Sequence, residues 1–73
     1  MIEKFKLALD EAQSALIDAR AKVVRARLEC NNLPPNLVAN AVWVPGAKMH
    51  LDNITDNLAE GIQSLASVVV TID

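Results

Sequence analysis

The sequence predicts an all-α protein: an antiparallel helical hairpin of two long helices with a structured, Pro-rich connector, assembling into a four-helix bundle or a larger helical oligomer. Three observations carry that expectation. Two heptad stripes divide the chain. In the first half Ile2, Phe5, Leu9, Ala12, Leu16, Ala19, Val23, Ala26 and Cys30 alternate steps of three and four residues. In the second half Ala47, Leu51, Ile54, Leu58, Gly61, Leu65, Val68 and Ile72 keep the same rhythm. A repeat of about 3.5 residues holds one seam of a helix against a partner helix. The second observation is that Pro34, Pro35 and Pro45 all fall between the stripes. The third is that the chain carries more apolar surface than one hairpin can cover.

The whole chain, residues 1–73, reads as a single helical domain. Its first helix is expected over about 2–31. That segment has no Gly or Pro and is rich in Ala, Leu, Glu, Lys and Arg, the strong helix formers. Acidic residues occupy its first part and basic residues its last, the arrangement that compensates the helix dipole. Asn31, Asn32 and the Pro34-Pro35 pair should end it, because a residue before proline is pushed out of the α region.

The connector is expected over 32–46. Asn36 to Val42 suit a short helical turn with Pro35 at its first position. Val42-Trp43-Val44 suit an extended segment equally. Pro45-Gly46 is a second break. Leu37, Val38, Val42, Trp43 and Val44 are too apolar for a solvated linker, so the connector should be structured.

The second long helix is expected over about 47–72. Asp52 and Asp56 stand near this predicted start, the favourable side of the dipole. The β-branched run Val68-Val69-Val70-Thr71-Ile72 has weak helix propensity and would suit a strand. The heptad phase runs through it and favours helix.

Size argues for association. A domain of 73 residues buries only about 60% of the surface its unfolded chain exposes. Disulfides, metals or oligomerisation usually compensate. Cys30 is the lone cysteine and His50 the lone histidine, so neither an internal disulfide nor a zinc site within one chain is expected. Oligomerisation is left, and a homodimer is the commonest form. Leu7, Ile17, Ala21, Val24 and Leu28 form a second apolar row on the first helix and are the interaction candidates. Thr55, Ala59, Ile62, Ala66 and Val69 broaden the apolar arc of the second helix. A second stripe on a two-helix protein argues for a partner.

Charge and composition narrow the function. The net charge of −2 offers no general attraction to nucleic acid or to an anionic membrane. No apolar run reaches the ~18 residues of a membrane span. The opening MIEKFKLALDEAQ resembles neither a secretory nor a transit peptide, and a cytoplasmic protein is expected. No cofactor or metal is expected.

Individual residues have both chemical and structural readings. Arg20, Lys22, Arg25 and Arg27 are candidate phosphate contacts. They straddle the helix, without interleaved aromatics or a Gly-rich loop, and a solvated helix end fits them better. Asp52, Asp56 and Glu60 form a row of the kind that holds Mg²⁺ in some helical pyrophosphohydrolases. Such sites need further carboxylates from facing helices, so a solvent-facing stripe fits better. Trp43 suits a binding anchor and a cap on the hairpin core equally well. Cys30 falls on the seam as a small hydrophobe. His50 reads as a surface residue. No Ser, His and Asp grouping suggests a triad.

The functional expectation is a small non-enzymatic interaction module. It would be an adaptor, regulator or inhibitor, of the kind phages and plasmids often encode, and would bind a partner macromolecule, most naturally a protein, as a homo-oligomer. The alternative is a nucleic-acid or nucleotide binder using the basic end of the first helix. A Mg-dependent enzyme resembling the helical pyrophosphohydrolases is third.

Overall fold

The computed structural model describes residues 2–72, and no strand occurs among them. The elements are α1 (Ile2–Asn31), α2 (Pro35–Asn40) and α3 (Val44–Ile72). The first helix has the expected bounds. Its end is closed by the Asn32 N–H donating to the Leu28 carbonyl at 3.0 Å and the Leu33 N–H to the Cys30 carbonyl at 3.3 Å. Leu33 precedes Pro34 and leaves the helix there.

The connector holds the short helix α2, with Pro35 in its opening turn, where the missing N–H costs nothing. Asn40 Nδ2 donates to the Asn36 carbonyl at 2.9 Å, and the Ala41 N–H to the Leu37 carbonyl at 2.9 Å. Val42 and Trp43 form a turn, so the extended alternative for Val42-Trp43-Val44 does not hold.

The last helix starts earlier than the sequence implied, at Val44 instead of Ala47. Pro45 sits in its first turn, where a proline has no intrahelical donor to lose. The expected break at Pro45-Gly46 is therefore a helix start. One consequence is that Asp52 and Asp56 stand two and more turns inside the helix, beyond reach of the dipole end. The run Val68–Ile72 is helical. Packing periodicity overrides the β-branched propensity there.

The contacts between α1 and α3 run in opposite senses. Arg27 meets Asp52, Leu16 lies beside Gly61, and Leu9 shares a shallow cleft with Val69 and Ile72. The inner face of α3 carries Val44, Leu51, Leu58, Leu65 and Ile72, interleaved with Thr55, Ile62 and Val69. On α1 it carries Leu9, Leu16, Val23 and Cys30, interleaved with Gln13, Arg20 and Arg27.

One column of each heptad stripe therefore lies in the seam and the other does not. Ala12, Ala26, Ile54 and Val68 are exposed, and Ala19 is only half-buried. In the seam a half-polar column takes the place that the heptad stripe gave to Ala12, Ala19 and Ala26. The reason lies in α3, whose apolar arc centres on Thr55, Ile62 and Val69 and rotates the pair toward the Gln13–Arg20–Arg27 side.

The result is a rod of 56 × 14 × 13 Å with very little interior. Among the described residues only Leu9, Cys30, Val44 and Thr55 are buried. Thr55 satisfies its hydroxyl by donating to the Leu51 carbonyl at 2.7 Å. The radius of gyration is 16.9 Å, against about 11 Å for a compact domain of this length. The exposed surface is 5482 Å², against about 4,400 Å² for a compact monomer of this mass.

Candidate interaction surfaces

Three apolar surfaces flank or end this rod. The first comes from the columns three residues after the seam positions. On α1 these are Phe5, Ala12, Ala19 and Ala26, filled in by Ala8 and Ala15; on α3 they are Ile54, Gly61 and Val68. The two helices run in opposite directions and turn with the same hand, so both columns lie on one side of the pair. Lys22 and Glu29 continue the Ala8–Ala15 column toward the tip. At Gly61 a side chain would begin 3.7 Å from the Leu16 Cδ1 atom, so the two helices lie close at that level.

The second surface lies on the opposite side of α1. Leu7, Ile17, Ala21 and Leu28 are exposed there and Val24 is half-buried. It is rimmed by charge. Arg27 Nη1 donates to Asp52 Oδ1 at 3.5 Å on this side, and Asp10 lies at its far end.

The third surface is the tip of the rod. From Cys30 to Ala47 the chain has no charged residue at all. Leu37 and Val38 project from α2, Val42 is 96% exposed and Trp43 is 55% exposed. Its neighbour Val44, at 1% exposure, is buried.

Charge is spread unevenly along the rod. On the chain-end side of the Leu16–Gly61 level stand Glu3, Asp10 and Glu11 against Lys4 and Lys6. On the tip side stand Arg20, Lys22, Arg25, Arg27 and Lys48 against Asp18, Glu29, Asp52, Asp56 and Glu60. The four candidate phosphate contacts do not converge. Arg20 and Arg27 are partly buried along the seam, Arg25 is exposed, and Lys22 pairs with Asp18 at 3.1 Å.

The acidic row Asp52, Asp56 and Glu60 is exposed, and Asp52 is engaged by Arg27. Among the described residues no three His, Cys, Asp or Glu side chains cluster in a way that would hold a metal ion. Cys30 is buried and His50 is exposed. The cleft lined by Lys6, Leu9, Asp10, Val69 and Ile72 has a volume of about 150 Å³, below the ~300–1,000 Å³ of small-molecule pockets. Among the described residues no helix is long and apolar enough to cross a membrane.

No family model, curated protein or solved structure matches this chain.

The sequence reading singled out the second surface and Trp43 but missed the first. The signal was present: Ala8 and Ala15 extend the Ala12–Ala19–Ala26 column into a broad stripe wider than one seam needs. Assigning that column to the seam concealed it.

Proposed function

We propose that this protein is a non-enzymatic interaction module of the cytoplasm that works as a homo-oligomer. Its helical hairpin would be half of a four-helix bundle, and its uncharged tip would engage a partner macromolecule. The observation that carries the reading is the imbalance between interior and surface. Among the described residues four are buried, against exposed Phe5, Leu7, Ile17, Leu28, Trp43 and Ile54 with further apolar residues beside them. Contiguous apolar surface beyond a few hundred Å² marks an interaction site. The scattered cations and the acidic row give no comparable support to phosphate recognition or metal chemistry.

Light scattering coupled to gel filtration tests the self-association. At micromolar concentration the mass should be at least twice the 7.9 kDa of the chain. A folded monomer at that concentration refutes it. The partner is tested with a Val42→Ser, Trp43→Ser variant against the native chain in pull-downs from host lysate. A protein retained by the native chain and lost from the variant supports the tip as the contact. Identical retention refutes that role.

A further inference from the structure

We propose that the alanine-lined side of the rod is covered by a second copy of this chain, laid antiparallel about a two-fold axis at the level of Leu16 and Gly61. The inference rests on the self-association reading and specifies its face and direction.

Area is the first argument. The rod exposes roughly 1,000 Å² more than a compact monomer of its mass. A standard stable interface removes about 800 Å² from each partner. The excess matches what one dimer contact would cover. On the alanine side the small side chains from Ala8 to Ala19 let a second helix approach closely, with Lys22 and Glu29 beyond them.

Charge fixes the direction. A two-fold axis across the rod at this level sets Lys4 over Glu29 of the partner subunit and Glu11 over Lys22 of the partner subunit, pairs of opposite sign. An axis along the rod would set each α1 over the partner's α3 and bring neither pair together.

Residue spacing fixes the level. Leu16 and Gly61 lie side by side. Measured from Leu16 along α1, Ala12 and Ala19 are equidistant to within one residue, and so are Phe5 and Ala26. The flanking charges obey the same symmetry with opposite signs: Lys4 matches Glu29, and Glu11 matches Lys22. Measured from Gly61 along α3, Ile54 and Val68 are equidistant. In this arrangement α1 lies over its own copy, antiparallel, with Ala12 against Ala19 of the partner subunit. Neighbouring helices are antiparallel throughout, as in up-and-down bundles. The tips, with Val42 and Trp43, extend past both ends and stay uncovered.

Disulfide trapping tests the placement, in the native and Cys30→Ala backgrounds. Ala15→Cys lies near the axis and should form a disulfide-linked dimer with itself under mild oxidation. Ile17→Cys, on the opposite side, should form at least tenfold less. Mixing Ala12→Cys chains with Ala19→Cys chains should yield the mixed dimer, in excess of either self-linked product. Equal trapping at Ala15 and Ile17, or trapping at Ile17 alone, overturns the face. Failure of the mixed pair overturns the antiparallel direction. A dimeric mass in either case leaves self-association standing, whereas a monomeric native chain removes the reading beneath both.

Discussion

Val42 and Val44 are the same residue type two positions apart, and the fold treats them oppositely. Val44 is 1% exposed and Val42 is 96% exposed. Truncating Val44 to alanine removes two methyl-sized groups from the interior, worth about 0.8 kcal/mol each in transfer alone. The cavity left behind adds a further term, for a total of about 2–3 kcal/mol. Domains are typically stable by about 5–15 kcal/mol, and a chain with four buried residues among those described belongs near the bottom of that range. Val44→Ala should therefore lower the melting temperature by about 10–20 °C, at about 4–8 °C per kcal/mol. Val42→Ala should change stability by no more than about 0.5 kcal/mol. The measurement is thermal unfolding followed by circular dichroism, at one chain concentration because association makes the midpoint concentration-dependent. Equal shifts in the two variants would refute the burial of Val44 at the start of α3 and the exposure of Val42 beside it.

Two further outcomes are expected. Thr55→Val should hold or raise the melting temperature, since the hydroxyl only back-bonds to Leu51 and bonds of that kind slightly weaken helices; a fall beyond 5 °C, about 1 kcal/mol, would count against this account of the buried threonine. Labelled oligonucleotides at low salt should show no submicromolar binding in fluorescence anisotropy, because Arg27 is engaged by Asp52 and the other cations diverge. Tight, salt-sensitive binding lost in an Arg25→Ala, Arg27→Ala variant would promote nucleic-acid recognition instead.

The all-helical architecture was legible because its signals are local. The helix formers and the absence of Gly and Pro set α1, and the Pro34-Pro35 pair set its end. The start of α3 was misread because Pro45-Gly46 looks like a break in isolation. In the folded chain it is a helix start, with Val44 buried at the first position. The face of each helix was less legible for a different reason. Heptad spacing identifies Leu9, Leu16 and Val23 as inward, but either neighbouring column can join them. Ala12 and Gln13 compete for that role, as do Ala19 and Arg20. Counting apolar residues favours the alanines. The competition is decided on the other helix, by where Thr55, Ile62 and Val69 place the centre of the α3 arc, and that is a property of the pair.

That choice leaves a mark at Arg20. Its side chain lies in the half-buried column facing α3, and its Nε is buried with no hydrogen-bond partner among the described residues. A buried donor left unmet costs about 1–3 kcal/mol. The stem of the side chain still covers apolar surface, as long cationic side chains do. Arg20→Met keeps a comparable stem and deletes the unmet donor. It should raise stability by about 1 kcal/mol, seen as a melting temperature about 4–8 °C higher. The alanine column on the other side would be untouched, so trapping through Ala15→Cys should persist in the stabilised variant. A lower melting temperature would mean that the guanidinium has a stabilising partner in the assembled protein. The contact would then include the Arg20 side of the rod, and the alanine side would not be the only face that a second copy covers.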